Sequence, residues 1–77
     1  MTPVDPAPKT IAIVVPFLNE EDNIPEMYRR LDALFARMPE QGKFLFVDDG
    51  STDGSVPWLK KQAESDPRVQ VIELSRN

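Results

Sequence analysis

Two short polar stretches contain the residues of this sequence that are best suited to contact a ligand. Asn19 and Glu20 lie in one stretch, and the adjacent acids Asp48 and Asp49 begin the other. Carboxylates accept hydrogen bonds, so they suit a ligand that presents N–H or hydroxyl donors, such as a nucleobase edge or a ribose. They repel a phosphate unless a metal ion lies between. Neither a G-x-G-x-x-G nor a G-x-x-x-x-G-K-[ST] motif occurs, which disfavours a dinucleotide or P-loop site.

The acidic stretch has two further interpretations that must be weighed against a binding site. Residues 51–53, Ser-Thr-Asp, are typical of turns and helix caps, and we interpret them in that way. Asp48 and Asp49 repel each other at the end of an apolar run, whereas a cap needs only one acid, so we interpret them as functional. An EF-hand calcium loop beginning at Asp49 is excluded because its twelfth position is Lys60, where a bidentate Glu is required.

Five elements are predicted to position these residues, and strands alternate with helices. Apolar runs at residues 11–15 and 44–47 indicate buried strands, and the mixed run at 69–74 indicates a strand nearer a sheet edge. Apolar spacings of three and four residues predict amphipathic helices at 24–38 and 56–63. The βαβαβ order predicts an α/β fold, a partial Rossmann-like segment with a parallel sheet and helices on its faces.

The predicted sheet brings the two polar stretches together. Ligands of open parallel sheets bind outside the carboxyl ends of the strands. If the first two strands are neighbours, residues 19–20 and 48–49 therefore converge on one crevice. Asn23 is expected to cap the first helix, and the aromatic rings of Tyr28 and Trp58 are expected to be core or half-buried rather than stacking platforms for a base.

The composition of the chain excludes several kinds of site and argues against several classes of protein. The chain has 77 residues, 13 acidic and 9 basic side chains, a net charge of −4 and no cysteine. This excludes disulfides and thiolate metal sites, and it argues against nucleic-acid binding, which needs a basic surface. The longest apolar stretch, residues 11–18, is far too short to cross a bilayer. Residues 1–10 are rich in proline and are expected to form a flexible leader ahead of a single segment at 11–77.

Three motifs, in order at the ends of the three predicted strands, carry a resemblance to a known family. They are IAIVVPFLNEEDNI at residues 11–24, VDDGSTDG at 47–54 and LSRN at 74–77. Together they resemble the start of family 2 glycosyltransferases of the GT-A fold. Within that family they look most like the polyprenyl-phosphate group, which includes dolichol-phosphate mannose synthases and bactoprenol glucosyltransferases. The resemblance implies transfer of a hexose from a nucleotide-diphosphate sugar to a polyprenyl phosphate at the cytoplasmic membrane face.

The same resemblance implies roles for particular residues. By the family pattern, Pro16, Leu18 and Glu20 line the nucleotide pocket, Asp48 contacts the base and Asp49 lies beside it. Leu18 departs from the pattern, because the polyprenyl-phosphate group usually has Tyr in Pro-x-Tyr-Asn-Glu. A backbone contact at this position would survive the change, whereas a ring-stacking contact would not.

The family pattern also implies that part of the machinery lies beyond residue 77. Its Asp-x-Asp motif, which holds Mg²⁺ or Mn²⁺, and its acceptor site follow that point, so residues 11–77 are expected to be a truncated nucleotide-binding segment, inactive alone. A non-catalytic nucleotide-binding module is the alternative. A receiver-like signalling domain is disfavoured because its paired acids follow the first strand, not the second. The strand at 11–15 is expected to be internal to its sheet, with its outer edge left open in this chain and available for self-association.

Overall fold

The computed structural model describes residues 10–74 and confirms the α/β architecture. Strand β1 is followed by helix α1, strand β2, helix α2 and strand β3, and their bounds are Thr10–Phe17, Ile24–Ala36, Gln41–Asp48, Ser55–Ser65 and Val69–Glu73. The predicted leader at residues 1–10 lies outside the described residues except for Thr10, which begins β1. Residues 75–77, the end of the third motif, lie outside them as well.

The three strands form one parallel sheet in the order β1-β2-β3. In this register Phe17 of β1 lies opposite Asp48 of β2, and Asp48 lies opposite Glu73 of β3. The carboxyl ends of all three strands therefore lie level along one edge of the sheet. Strand β3 is at the sheet margin, as its mixed composition predicts.

Both helices pack against the same face of the sheet. Alternate β2 side chains point toward this face, where Phe44 and Phe46 are fully buried. Ile24 of α1 and Leu59 of α2 are fully buried against them. This arrangement follows from the strand order, because two right-handed crossovers that advance in the same direction place both helices on one side.

Aromatic rings fill the interface between α1 and β2. The Phe35 and Phe44 ring centroids are 5.4 Å apart, and Tyr28 contacts Phe44 and Trp58 edge-on at 6.1 and 5.8 Å. Tyr28 and Trp58 are half-buried packing residues, which confirms the expectation from the sequence. Gly42 permits the close approach of Phe35, because a Cβ atom at this position would lie 2.6 Å from the Phe35 ring.

The opposite face of the sheet is uncovered within residues 10–74. Val14 of β1 is 61% exposed there, and Ile72 of β3 is also exposed. The uniformly apolar run at 11–15 was expected to be buried on both faces and internal to its sheet. Within residues 10–74, β1 pairs only with β2, so its outer edge is open, which is the arrangement expected for this chain. One face of β1 is exposed because both helices occupy the other face, and this corrects the expected burial on both faces.

The start of α1 differs from the expected cap. Asn23 precedes the helix, but its side chain makes no capping hydrogen bond. The carbonyl oxygen of Glu20 instead accepts the backbone N–H groups of Asn23 and Ile24, both at 2.9 Å. The Asn23 amide donates to Glu20 Oε2 at 2.7 Å. Neither α1, with 13 residues, nor α2, with 11, is long and apolar enough to cross a bilayer.

A cluster of hydrogen-bonded polar side chains connects α1 to the segment before β3. Asp66 is buried and accepts a hydrogen bond from the Tyr28 hydroxyl at 2.6 Å. Arg68 donates to Asp66 and to Asp32, in both cases at 2.7 Å, and its guanidinium lies 4.9 Å from the centre of the Phe44 ring. The Arg68 guanidinium holds the pKa of the Asp66 carboxyl well below its usual range, and the Tyr28 hydrogen bond acts in the same direction.

We predict that Asp66→Asn lowers the free energy of unfolding by about 2 kcal/mol at neutral pH, because it removes a buried charged acceptor from Tyr28 and Arg68. Since the pKa of Asp66 is depressed in the fold, this stabilisation is complete above the unfolded-state pKa of about 3.9 and decreases as the pH falls below it. Chemical denaturation of both proteins across this range measures the difference.

Asp32→Asn is the matched control for this prediction. Asp32 is exposed and accepts a hydrogen bond only from Arg68, so its replacement should cost less than about 1 kcal/mol. A difference between wild type and Asp66→Asn that does not change between neutral and acidic pH would contradict the account.

Self-association through the outer edge of β1 stays a prediction. Within residues 10–74 this edge has no partner strand, and unpaired edges are templates for pairing with another chain. We expect the sedimentation coefficient of the 77-residue chain to rise with concentration, and Val14→Lys, which places a charge at an exposed position of β1, to reduce that rise. Concentration-independent sedimentation of the wild type as a monomer would show that the edge does not associate.

Candidate functional site

The candidate site lies where β1 and β2 end side by side. The backbone N–H of Asp49 donates to the carbonyl oxygen of Phe17 at 3.0 Å, so the sheet ladder extends one residue into the acidic turn. On the other side, the N–H of Leu74 donates to the carbonyl oxygen of Asp48 at 2.9 Å. The Asp48 side chain is 4% exposed, and its Oδ1 accepts the backbone N–H of Ser51 at 2.8 Å. Asp48 is therefore held by both its backbone and its carboxylate.

Asn19 joins the loop after β1 to the turn after β2. Its Oδ1 accepts the backbone N–H groups of Thr52 at 2.8 Å and Asp53 at 3.3 Å. Its own N–H donates to Ser51 Oγ at 2.8 Å. The backbone of Asn19 has φ of 50°, in the left-handed region that Asn adopts more readily than most residues. This residue connects positions more than 30 residues apart in the chain.

The two residues after Asn19 continue the connection between the loops. The N–H of Glu20 donates to Ser55 Oγ at 3.1 Å, and the N–H of Glu21 donates to Asp53 Oδ2 at 3.1 Å. In return, Glu21 Oε1 accepts the N–H of Gly54 at 3.2 Å. Gly54 lies so close to the Glu21 carboxylate that a Cβ atom at position 54 would be 2.5 Å from Glu21 Oε2.

The amino terminus of α2 already contacts two carboxylates of this chain. Asp53 Oδ1 accepts the N–H and the hydroxyl of Ser55 at 2.9 and 2.6 Å, and Glu21 accepts the N–H of Gly54 immediately before the helix. The hydrogen bond from the Ser55 hydroxyl lowers the pKa of Asp53. Helix amino termini are common phosphate sites, but here carboxylates accept the N–H groups of Gly54 and Ser55 and add negative charge. The edge thus favours a ligand group that donates hydrogen bonds.

The structure places the five residues of the expected nucleotide site around this edge. Asp48 is buried, Asp49 and Glu20 are half-buried, and Pro16 and Leu18 are exposed. Pro16 lies opposite Val47 in the register, so its side chain faces the uncovered side of the sheet, whereas Asp48 faces the helices. Hydrogen bonds join residues 19–21 to residues 51–55, which confirms that the loops after β1 and β2 meet, and the backbone N–H of Asp49 binds the end of β1 at Phe17. No ligand tests the five assignments, which stay predictions.

The interpretation of residues 51–53 as turn and cap residues describes only part of what they do. Asp53 accepts the N–H of Ser55, but the N-cap of α2 is Gly54 and no side chain caps this helix, so the cap interpretation of residue 53 is wrong. Its second oxygen binds Glu21, and the Ser51 hydroxyl binds Asn19, so the turn also contacts the loop after β1. The bridging roles of Asn19, Glu21 and Ser55 were not predicted. The available signal was the concentration of short polar side chains after two neighbouring strands.

A divalent-cation site does not form in the described part of the chain. Within residues 10–74, no group of three or more His, Cys, Asp or Glu is placed to hold a metal ion. The Asp53 and Glu21 carboxylates are instead hydrogen-bonded to backbone N–H groups. An open depression of about 340 Å³ lies at the opposite end of the sheet, where it is lined in part by Gly42, Lys43 and Arg68. It lies at the opposite end of β2 from Asp48 and Asp49, so we place the candidate site at the carboxyl edge, apart from this depression.

Comparisons with known protein sequences show the family to which this chain belongs. Residues 12–77 match the family described as Glycosyl transferase family 2. An undecaprenyl-phosphate 4-deoxy-4-formamido-L-arabinose transferase of Klebsiella pneumoniae is 40% identical over 73 residues, which cover 94% of this chain and 22% of that protein. YkcC of Bacillus subtilis, named as an uncharacterized glycosyltransferase, is 46% identical over 66 residues, covering 86% and 20%. The chain belongs to glycosyl transferase family 2, which confirms the resemblance stated above.

The match concerns only part of each relative. The chain spans about a fifth of the length of the curated relatives it matches. A transferase of Salmonella dublin with the same name as the Klebsiella protein is 36% identical over 75 residues, which cover 95% of this chain and 23% of that protein. The matched part includes β1, β2 and the loops that meet at the carboxyl edge.

We predict that Ser55→Ala separates the two loops locally and raises the pKa of Asp53. The fully buried Ser55 hydroxyl donates to Asp53 and accepts from Glu20, so its loss removes the main cause of the lowered pKa and leaves a backbone N–H without its partner. The cost in unfolding free energy should be about 1–2 kcal/mol. Carbon-detected NMR titration of the Asp53 carboxyl group, together with chemical denaturation, measures both effects.

Thr52→Ala is the control, because only the backbone of Thr52 takes part in the hydrogen bonds between the loops. It should change neither the pKa of Asp53 nor the stability appreciably. An Asp53 pKa that is the same in Ser55→Ala and wild type would show that the Ser55 hydroxyl does not control this carboxyl.

Proposed function

We propose that this chain supplies the nucleotide-binding segment of a glycosyltransferase that moves a hexose from a nucleotide-diphosphate sugar to a polyprenyl phosphate. The observation that carries the proposal is the meeting of Asp48 and Asp49 with the loop after β1 at the carboxyl edge of a parallel sheet, in a member of glycosyl transferase family 2. Relatives named as undecaprenyl-phosphate transferases support the lipid-phosphate acceptor.

The chemistry of the edge supports binding of the nucleoside portion of the donor. Asp48 and Asp49 supply carboxylate acceptors for base N–H groups, and Glu20 supplies an acceptor for a base or ribose donor. Pro16 and Leu18 supply apolar surface on the β1 side. The carboxylates at the start of α2 oppose a phosphate there, so the diphosphate extends away from residues 51–55.

The metal-binding and acceptor-binding parts of the proposed reaction depend on residues outside 10–74. We propose that Mg²⁺ or Mn²⁺ offsets the diphosphate charge and that its ligands lie outside residues 10–74, which do not form such a site. Residues 11–77 alone are accordingly expected to be inactive. A polyprenyl-phosphate acceptor places the reaction at a membrane, and we propose the cytoplasmic face.

Two measurements on the full-length protein test this function. Isothermal titration with UDP, GDP and inorganic phosphate should show saturable binding of at least one nucleotide and none of phosphate. Incubation of the corresponding nucleotide-hexose with undecaprenyl phosphate should give a lipid-linked sugar. Nucleotide binding without transfer to any polyprenyl phosphate would favour the non-catalytic nucleotide-binding module, and absence of nucleotide binding would overturn both interpretations.

We predict that Asp48→Asn and Asp49→Asn each weaken nucleotide binding by about tenfold or more, because each removes a charged acceptor from the donor groups of the base. Asparagine at position 48 can still accept the N–H of Ser51, so the turn should persist. Asp22→Asn is the charge-matched control on the loop after β1, where Asp22 is exposed. Equal losses in all three variants would indicate a general effect of charge rather than contacts at the strand ends.

A further inference from the structure

Asn19 makes three of the hydrogen bonds that join the two loops of the candidate site. It is exposed, it is the single residue other than glycine with positive φ in the described part of the chain, and its side-chain oxygen accepts two N–H groups of the opposite turn. Residues with positive φ persist where surrounding contacts fix them, and they concentrate at functional sites. None of the roles assigned above to Pro16, Leu18, Glu20, Asp48 or Asp49 explains this arrangement.

The contacts of Asn19 lead directly to the Asp48 carboxylate. Asn19 fixes three consecutive residues of the turn, since it binds Ser51 Oγ and the N–H groups of Thr52 and Asp53. The N–H of Ser51 is in turn the donor to Asp48 Oδ1. A shift of residues 51–53 relative to β1 would therefore move the donor that orients Asp48.

The residue type matches both requirements of this position. Glycine would adopt φ of 50° at no steric cost but would lack the oxygen that accepts the two N–H groups. Alanine would lack the oxygen and disfavour the backbone conformation. Aspartate would keep the acceptor oxygen and tolerates left-handed geometry, at the cost of another negative charge near Asp53. Asparagine combines the conformation and the acceptor without a charge.

We propose that Asn19 is a positioning residue for nucleotide recognition: by fixing residues 51–53 to the end of β1, it holds the Asp48 carboxylate in the orientation that receives the nucleoside. This role rests on the proposed function, because it presupposes that Asp48 contacts a nucleotide. Asn19 acts through the turn and requires no contact of its own with the reacting atoms.

The test compares Asn19→Gly, Asn19→Ala and Asn19→Asp with Thr52→Ala in the full-length protein. Thr52→Ala is the control, because it keeps the backbone N–H that Asn19 accepts. The readouts are the dissociation constants of UDP and GDP by isothermal titration, KM and kcat with the nucleotide-hexose donor, and the thermal midpoint. We expect Asn19→Gly and Asn19→Ala to weaken nucleotide binding and raise the donor KM by about tenfold, the loss expected for two backbone hydrogen bonds.

The pattern across variants separates positioning from general stability. We expect Asn19→Asp to recover most of the affinity, Thr52→Ala to bind as the wild type does, and kcat to change less than KM. If Asn19→Ala fails to fold, Asn19→Gly and Asn19→Asp carry the comparison, since both adopt the backbone conformation. Asn19→Gly binding nucleotide as tightly as wild type, or a loss that follows the thermal midpoint and is not recovered by Asn19→Asp, would overturn the positioning role.

Different results would contradict the positioning role of Asn19 and the proposed nucleotide-binding function. If the wild type binds neither UDP nor GDP, the nucleotide site itself is wrong and Asn19 has no nucleotide to position. If the wild type binds a nucleotide and Asp48→Asn weakens that binding while Asn19→Gly does not, the function stands and only the role of Asn19 is wrong.

Discussion

The level alignment of β1 and β2 is the constraint on which the candidate site depends. Because Phe17 lies opposite Asp48, both strands end at the same height, and the chain must turn away from the sheet twice within a small space. Every backbone N–H in those turns needs a partner once water is partly excluded. The side chains of each loop supply partners for the other: Asn19 for Thr52, Asp53 for Glu21 and Ser55 for Glu20.

These hydrogen bonds between the two loops also limit what can bind at the carboxyl edge of the sheet. The first N–H groups of α2 would otherwise attract an anion, as they do in many nucleotide-binding folds. Here the Asp53 carboxylate accepts the N–H of Ser55, the first residue of α2, and the Glu21 carboxylate accepts the N–H of Gly54 just before the helix. Carboxylates at the strand ends, such as Asp48, whose Oδ1 also accepts the N–H of Ser51, suit the donor groups of a nucleoside. The hydrogen bonds that join the two loops therefore also limit which ligand groups the edge can accept.

The sequence predicts those parts of the molecule that depend on local pattern. Apolar runs and helical spacings identify the five elements, and the parallel strands of a βαβ unit bring residues 19–20 and 48–49 to one edge if the first two strands are neighbours. The strand order is not encoded locally, so the run at 11–15 could not reveal that one of its faces is exposed in this part of the chain.

Contacts between distant residues account for the other differences. Asn23 is predicted to cap α1 with its side chain, but it occupies the N-cap position without a capping hydrogen bond, and the Glu20 carbonyl oxygen binds the N–H groups of Asn23 and Ile24. Asp53 resembles a local cap in the sequence, but its second oxygen binds Glu21, 32 residues away. Asn19 is one polar residue among several until its left-handed backbone and its two accepted hydrogen bonds are known. Composition and periodicity carry no information about such pairs.

Hydrogen exchange of the full-length protein with and without a nucleoside diphosphate tests the central claim most directly, because it reports where along the chain the ligand acts. We expect slower exchange at residues 17–21 and 48–55 on addition of UDP or GDP, and little change at Gly42, Lys43 and Arg68 around the depression at the opposite end of the sheet. Slower exchange at that depression, with residues 17–21 and 48–55 unaffected by a nucleotide that binds, would contradict the placement of the site.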